Sequence, residues 1–317
     1  MAKLRVAVVG AGQFGLNHMR VVKQSERAEL AAVCDTDPAR AAAAAIRYGC
    51  PALELAQLAG RAEAAIVAAP TSAHAAVGCQ LLEAGLDVLV EKPIAPDLAS
   101  ARRLIETARA RGRVLQVGHL ERFNPAVTAL KKAATLPLFF EIHRMSVFTP
   151  RSLDVDVVLD LMIHDLDIVL DLVGEAPEEI RAAGISVLSP KVDIANVRLA
   201  FPGGCVANLT ASRVSTERVR KLRLFQPRQY ISLDYARQEG AVFEVGAAGI
   251  AFRLLESAKG EPLALELEDF FDCVEVRRRP LVAGEDGARA LEAALAVLAK
   301  IEEHSRVVER SLAAWKG

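Results

Sequence analysis

The chain has 317 residues, of which 52% are hydrophobic and 25% charged, with a formal net charge of −1. This length predicts two domains, each large enough to bury its own core, in an alanine-rich and therefore helix-rich globular protein. A net charge near zero argues against electrostatic binding to nucleic acid or to an anionic membrane surface.

The chain shows no pattern of an exported or membrane-inserted protein. The apolar run over residues 6–9, which follows Lys3 and Arg5, is too short for a signal peptide and ends in a glycine-rich turn. No apolar stretch approaches the ~20 residues that span a bilayer. The five cysteines are scattered and odd in number, which disfavours a disulfide framework or a structural zinc site. We expect a cytoplasmic protein without a bound metal.

Short apolar strands alternate with helices from residue 4 to about residue 119. The predicted strands are LRVAVVG, ELAAVCD, AAIVAAP, DVLVEKP and RVLQVGH. Helices are predicted over residues 14–22, 72–84 and 98–111, and another begins at Pro38 behind an Asp37 N-cap. This alternation predicts an α/β domain over residues 1–120, with a parallel, doubly wound sheet covered by helices on both faces.

The pattern changes near residue 120. Helices are predicted from Pro125 to Lys132 behind an Asn124 N-cap, over residues 155–173 and over residues 288–304. The runs between them alternate more strongly and are separated by turns, one of them at residues 202–204. The strands predicted there are LFFEIHRMSVF, EIRAAGISVL, IANVRLAF, CVANLTASRV, RKLRLFQ and QYISLDYA. We expect an α+β domain over residues 121–317, with a large, open, mostly antiparallel sheet and helices on one face.

The glycine-rich stretch GAGQFG follows the first strand and opens the first helix. Its first glycine permits a tight turn, its second the approach of a pyrophosphate, and its third close packing of helix and strand. Asp35, at the end of the second strand, is placed to accept hydrogen bonds from an adenosine ribose and would repel a 2′-phosphate. We therefore predict a Rossmann domain that binds NAD; the alternative is a structural glycine turn. The predicted cofactor contacts here are Gly10, Gly12, Gln13, Phe14, Gly15 and Asp35.

Two further strands end in polar residues, at the edge where open α/β sheets bind ligands. One end carries Ala69-Pro70-Thr71 with His74, and the other carries Glu91-Lys92-Pro93. A lysine at the exit of a buried strand can donate a hydrogen bond to a reacting hydroxyl and stabilise developing negative charge. The alternatives are a surface ion pair between Lys92 and Glu91, a His74 packed in its helix, and a Thr71 that caps a helix.

The stretch VVLDLMIHDLDIVLDLV predicts a largely buried helix. Asp160 and His164 are four residues apart and therefore share one face. A carboxylate in this position can orient the imidazole and raise its basicity, which suits a general base for an alcohol. The alternatives are a polar pair that stabilises the helix and a partial metal site, for which two ligands are too few.

In this order, GAGQFG, Asp35, APTSAH, EKP and DLMIHDLD resemble the motifs of the Gfo/Idh/MocA oxidoreductase family over essentially the whole chain. The resemblance implies hydride transfer between NAD(P) and a carbon of a sugar or cyclitol, with Lys92 and His164 as the catalytic pair and Asp160 in support. It also favours a homodimer or homotetramer formed through an exposed sheet face. The further cofactor contacts that it implies are Ala69, Pro70, Thr71, His74, Glu91 and Lys92.

The segment VGHLERFNPAV resembles a signature of the family branch that contains the UDP-N-acetylglucosamine 3-dehydrogenases. This implies oxidation of the sugar 3-hydroxyl of a UDP-linked N-acetyl hexosamine, whose 3-keto product feeds a 2,3-diamino sugar pathway such as that of lipid A through a partner aminotransferase. Arg122 would then meet the diphosphate and Phe123 a base or sugar face, with Asn124 and Arg151 also binding substrate. The alternative is a capped helix start with a solvated Arg122.

The sequence leaves two rival functions. The first is a dehydrogenase of a free sugar or inositol in the same family, which the ERFNPA segment disfavours. The second is a non-catalytic, dinucleotide-sensing regulator, which the presence of Lys92, Asp160 and His164 disfavours. No basic patch indicates direct binding to DNA.

Overall fold

Residues 2–148, 155–247 and 249–315 of the chain are described from a computed structural model. The chain forms two compact units, one of Met1–Phe123 with Gly260–Ala288 and the other of Asn124–Lys259 with Arg289–Gly317. The first segment of the first unit ends at Phe123, whereas the sequence pattern placed the change near residue 120. The predicted continuous second domain differs from the structure, because residues 260–288 belong to the first unit.

The first unit contains a five-stranded parallel sheet in the order β2-β1-β3-β4-β5. Its strands are β1 (Leu4–Val9), β2 (Ala28–Cys34), β3 (Ala64–Val67), β4 (Asp87–Glu91) and β5 (Leu115–Gly118). Its first helices are α1 (Gln13–Gln24), α2 (Pro38–Tyr48), α3 (His74–Glu83) and α4 (Leu98–Arg111). The predicted α/β architecture is confirmed, and the strand order reverses between β1 and β3, where open α/β sheets bind ligands at the carboxyl ends of the strands.

The second unit is built on an eight-stranded sheet in the order β13-β12-β11-β10-β6-β9-β8-β7. The strands are β6 (Phe139–Val147), β7 (Glu179–Ile185), β8 (Ile194–Ala200), β9 (Val206–Ser215), β10 (Val219–Gln226), β11 (Gln229–Asp234), β12 (Glu239–Gly246) and β13 (Gly249–Leu254). All neighbouring pairs are antiparallel except β6 with β9. The predicted open, mostly antiparallel sheet is confirmed, although β12 and β13 were not predicted.

Helices α5 (Pro125–Ala133) and α6 (Ile163–Val173) supply buried apolar residues to the same core as alternate residues of β6, β8 and β9. One side of these strands is therefore covered and the other is left accessible, as the alternating pattern predicts. The predicted single helix over residues 155–173 is wrong in detail, because Val158–Met162 form a turn of π-helix before α6.

Two helices end the chain. The helix α7 (Pro262–Val276) was not predicted, and the long helix α8 (Gly284–Ala314) begins earlier and ends later than predicted. The buried side chains of α7, among them Leu267, Phe270 and Phe271, pack in one core with Val6 and Ile66 of the parallel sheet. This packing is the physical reason why the segment belongs to the first unit. In the described part of the chain, no helix has the length and hydropathy needed to cross a membrane.

Candidate functional site

The glycine-rich loop joins β1 to α1. Gly10 has a φ of +102°, and a Cβ added there would lie 2.4 Å from the carbonyl oxygen of Ala68. A Cβ on Gly15 would lie 1.8 Å from the carbonyl oxygen of Gly10, whereas one on Gly12 would meet no atom within 4 Å. The first and third glycines are therefore required by packing inside the protein. At Gly12 the lack of a side chain instead leaves the backbone open to a group from outside.

The N-terminus of α1 follows this loop directly. Among the described residues no side chain caps the helix, and its first turn contains no acidic residue. Gly12, Gln13 and Phe14 are exposed, Phe14 to 44%. The backbone N–H groups of the first turn and the positive end of the helix dipole are thus available to an anion, which fits the pyrophosphate of a dinucleotide.

Asp35 follows β2, and its carboxylate is fixed by backbone hydrogen bonds. Oδ2 accepts from the N–H of Ala11 at 2.6 Å, and Oδ1 accepts from the N–H of Asp37 at 2.8 Å. Each oxygen keeps a lone pair for a ribose hydroxyl. The guanidinium of Arg40 pairs with Asp37 at 3.1 Å, so the nearest arginine after Asp35 is already engaged by a carboxylate. This arrangement fits NAD better than NADP.

The charge of Asp35 gives a first prediction. The D35N variant removes the negative charge but keeps one side-chain oxygen as an acceptor, so we expect the ratio of kcat/KM for NAD over NADP to fall by about tenfold or more, equivalent to about 1.4 kcal/mol. Steady-state kinetics with both cofactors measures this ratio. An unchanged ratio would show that Asp35 does not set cofactor choice.

His74 begins α3 and is buried. Its Nε2 lies 2.9 Å from the carbonyl oxygen of Ala69, and its Nδ1 lies 2.9 Å from that of Pro93. Burial lowers the pKa of His74, and a neutral imidazole carries one N–H, so it donates to one of these two carbonyl oxygens and lies against the other. The side chain thus links two strand-end segments, and its contact with the cofactor stays a prediction. Thr71 lies in a short 3₁₀ turn, Thr71–Ala73, that has no side-chain cap, so the alternative of a capping threonine is wrong.

Glu91 is the last residue of β4 and is buried. Its Oε1 lies 2.7 Å from Nε2 of His18, and its Oε2 accepts from the backbone N–H of Lys92 at 3.2 Å. The alternative of a surface ion pair between Glu91 and Lys92 is therefore wrong. Both carboxylate oxygens of Glu91 are bound inside the protein, and its contact with the cofactor stays a prediction. Sequence reasoning missed His18, whose signal was its place on the buried face of α1.

Lys92 is half-buried and is joined to Pro93 by a cis peptide bond. Fully buried His119 has its pKa lowered to about 3, by burial first and then by the positive charges of Lys92 and Arg122. Both cations therefore lie within electrostatic range of one imidazole. Arg122 is only 6% exposed, so the alternative of a solvated arginine is wrong.

The remaining predicted substrate contacts are less accessible than expected. Phe123 is buried and offers no open ring face to a base or sugar in this structure. The Asn124 side chain accepts from the N–H of Ala126 at 3.1 Å and donates to the carbonyl oxygen of Tyr235 at 3.2 Å. Through these bonds Asn124 caps the start of α5, as in the alternative of a capped helix start. Arg151 lies outside the described residues.

His164 is buried near the start of α6, and Asp160 lies in the preceding π-helical turn, where its N–H donates to the carbonyl oxygen of Asp156 at 3.0 Å. Single π-helical turns within helices occur frequently at functional sites. Sequence reasoning missed the neighbouring pair of Asp165 and Arg144, which are joined by two hydrogen bonds of 2.7 Å. The available signal was the position of Arg144, which falls among the inward-facing residues in the alternating pattern of β6 and therefore needs a buried acidic partner.

Glu266 is a second residue that sequence reasoning missed. It lies on α7 with no exposed surface, and neither carboxyl oxygen has a hydrogen-bond partner among the described residues. Burial, and then the negative charges of Glu91 and Asp269, raise the pKa of Glu266 well above its ordinary value. Burial without a hydrogen-bond partner among the described residues thus disfavours the charged form of Glu266.

The raised pKa of Glu266 makes stability depend on pH. The unfolded pKa of glutamate is about 4.3, so this group's stabilisation is complete below that pH and is lost as pH rises through the higher folded pKa. E266Q keeps a neutral side chain, and we expect its stability relative to wild type to increase by about 1–3 kcal/mol between about pH 5 and about pH 9. Thermal unfolding at both pH values tests this, and a pH-independent difference would contradict it.

The parallel sheet, the open glycine loop, the uncapped helix and the fixed carboxylate together define an NAD-binding oxidoreductase domain. Residues 4–119 match the oxidoreductase family with an NAD-binding Rossmann fold, and residues 138–230 match the Gfo/Idh/MocA C-terminal domain. The chain belongs to the Gfo/Idh/MocA oxidoreductase family, as its motifs predict.

Full-length relatives agree with this assignment. UDP-N-acetylglucosamine 3-dehydrogenase of Acidithiobacillus ferrooxidans is 36% identical over 95% of this chain and 98% of its own length. A solved structure of that enzyme superposes with a TM-score of 0.91, covering 96% of this chain and 99% of the other. An inositol 2-dehydrogenase of Rhizobium meliloti is 25% identical over 96% of this chain and 98% of its own length.

Proposed function

We propose that this enzyme oxidises the 3-hydroxyl of UDP-N-acetylglucosamine to the 3-keto sugar with NAD. The observation that carries the proposal is the end-to-end likeness, at 36% identity, to a protein named for that reaction. The inositol 2-dehydrogenases that reach 33% identity align with only part of this chain, 59% of it in the Corynebacterium glutamicum proteins. The ERFNPA segment, which favours a nucleotide sugar over a free sugar or inositol, agrees with this difference in coverage.

The residues of the chain take the following roles in this proposal. NAD, when bound by Gly12, the N-terminus of α1 and Asp35, supplies the hydride acceptor. Lys92 donates a hydrogen bond to the reacting hydroxyl oxygen and stabilises the negative charge that develops there. His164 accepts the hydroxyl proton, and Asp160 supports its basicity. Buried Arg122 supplies the positive charge for a diphosphate.

The chemistry of the product suggests its fate. A 3-keto sugar is a substrate for an aminotransferase, which would convert it to the 2,3-diamino sugar used in lipid A. We infer a cytoplasmic location, in line with the free state of all five cysteines in the structure.

We also infer a homodimer or homotetramer, formed through the accessible face of the eight-stranded sheet. An aromatic series crosses that face, with successive ring centroids 5.8, 4.8, 5.4 and 5.2 Å apart. Its members are Phe139, Phe225, Tyr230, Phe243 and Phe252. Phe252 is 60% exposed, and such a patch is typical of an interface between protein chains.

The aromatic series gives a prediction about assembly. F252E places a charge in the patch, and we expect the protein to shift from an oligomer to a monomer, with β13 still folded. Light scattering after size-exclusion chromatography measures the mass. The matched control is E244Q, on the neighbouring strand β12. An oligomer that survives F252E would place the interface elsewhere.

The deciding experiment mixes the purified protein with NAD and UDP-N-acetylglucosamine and follows NADH absorbance, with glucose and inositol as parallel substrates. NADH with the UDP-sugar alone supports the proposal, and a stoichiometric burst counts as well as turnover. NADH with a free polyol alone would favour the family's free-sugar chemistry. Tight NAD binding without turnover of any of these substrates would favour a dinucleotide-sensing regulator. A rise in Tm with UDP alone would independently support a nucleotide-sugar site, because a ligand of the folded state stabilises it.

A further inference from the structure

Two buried histidines contact the groups that surround the backbone of Lys92 and Pro93. Nε2 of His18 lies 2.7 Å from Oε1 of Glu91, and Oε2 of Glu91 accepts from the N–H of Lys92 at 3.2 Å. At the next residue, Nδ1 of His74 lies 2.9 Å from the carbonyl oxygen of Pro93. These contacts all lie within the first unit, and they join α1, α3 and the end of β4.

The space around these groups leaves Glu91 little freedom. His18 has no exposed surface, and both His74 and Glu91 are buried. A Cβ on Gly118, which pairs with Glu91 across the sheet, would lie 3.0 Å from Oε2 of Glu91. A buried hydrogen bond in a site this closely packed fixes the position of its partners.

The hydrogen bonds of two buried carboxyl groups show which of them holds the Lys92 backbone. Of the two neighbouring buried carboxyl groups, Glu91 has two N–H partners, whereas Glu266 has none among the described residues. Burial, and then the charge of Glu91, raise the pKa of Glu266. Glu91 thus accepts from the backbone N–H of Lys92 and lies within hydrogen-bond distance of Nε2 of His18.

We propose that His18 and His74 are positioning residues, which fix the Lys92–Pro93 backbone through Glu91 and Pro93 and so set the place of the Lys92 ammonium group. We name His18, Glu91, His74 and Pro93 the histidine clamp. The inference rests on the proposed function, in which Lys92 stabilises the reacting oxygen. Misplacement of such a group by about 1 Å costs about 10²-fold in rate.

Paired amide variants test the clamp, because glutamine places its side-chain nitrogen near the Nε2 position of histidine and asparagine near the Nδ1 position. His18 uses Nε2, so H18Q keeps the bond to Glu91 and H18N loses it. Nδ1 of His74 faces the carbonyl oxygen of Pro93 and Nε2 faces that of Ala69, so H74N keeps a donor towards Pro93, whereas H74Q keeps one towards Ala69 only. The clamp therefore requires glutamine to be more active than asparagine at position 18 and asparagine to be more active than glutamine at position 74.

We expect kcat to stay within about threefold of wild type in H18Q and H74N and to fall about 10- to 100-fold in H18N and H74Q, with Kd for NAD within about threefold throughout. A role in stability alone would follow Tm and would not reverse between the positions. The same order at both positions, or equal activities within each pair, would overturn the clamp. If one variant fails to fold, the pair at the other position decides.

Hydrogen exchange of the Lys92 amide provides a readout that needs no substrate. We expect this amide to be protected in wild type and H18Q and to exchange at least about tenfold faster in H18N, because its acceptor is then free to move. Equal exchange in H18Q and H18N would overturn the clamp. If wild type does not oxidise UDP-N-acetylglucosamine but the exchange order holds, the proposed function fails while the clamp stands.

Discussion

Replacement of Lys92 by alanine should lower kcat at least about 10³-fold while Kd for NAD changes by no more than about threefold. The reason is that the side chain lies at the exit of β4 and is the proposed donor to the reacting oxygen. Loss of one donor to a developing oxyanion typically costs 10²–10³-fold, and the loss of an ammonium donor lies at the upper end because its positive charge is lost as well. Gly12, the N-terminus of α1 and Asp35, which fit the pyrophosphate and ribose of the cofactor, lie on other elements, so most of the NAD affinity should persist.

Two variants control the Lys92 experiment. K92R keeps a positive charge in a different shape and should recover only part of the activity, because a guanidinium fork does not reproduce a compact ammonium group. K23A removes an exposed lysine from α1 and should leave kcat close to wild type. Turnover by K92A within about tenfold of wild type would remove Lys92 from the mechanism. Isothermal titration with NAD and stopped-flow measurement of NADH formation separate the binding step from the chemical step.

Local signals in the sequence located much of the fold. Helix α4 covers the predicted residues 98–111, and Asp37 caps α2 through the N–H groups of Ala39 and Arg40, as expected for an aspartate before Pro38. The glycine loop has a local signal too, since its three glycines lie within six residues where β1 ends and α1 begins. Capping, turns and periodicity involve residues only a few positions apart, and are therefore legible in one sequence.

Features that join distant parts of the chain could not be predicted in this way. His18 and Glu91 are 73 residues apart in the sequence. Helix α7 belongs to the first unit although residues 124–259 of the second unit precede it in the sequence. Asn124 shows the converse limit, because its capping signal was correct whereas its proposed substrate contact was not supported. The π-helical turn at Val158–Met162 has no composition signal, since it depends on packing around an otherwise helical sequence.

The largest stability effect should follow from the buried pair of Arg144 and Asp165. Their side chains are 3% and 2% exposed, and the guanidinium also lies 5.2 Å from the ring centroid of Tyr235. R144M leaves a carboxylate buried without its principal partner, beside His164 on α6. We expect it to lower the free energy of unfolding by about 3–5 kcal/mol. Chemical denaturation followed by far-ultraviolet circular dichroism measures this change in the free energy of unfolding.

The double variant R144M/D165L distinguishes the cost of an unpaired charge from the value of the pair itself. Apolar replacement of both partners removes the buried charge, so most of the lost stability should return, to within about 1–2 kcal/mol of wild type. The surface pair of Lys131 and Asp171, at 2.7 Å with the lysine side chain 48% exposed, provides the matched control. K131M should cost less than about 1 kcal/mol, because solvent screens an exposed pair. If R144M cost no more than K131M, the buried pair would not hold α6 against β6, and the placement of His164 would have to depend on the apolar packing of that helix.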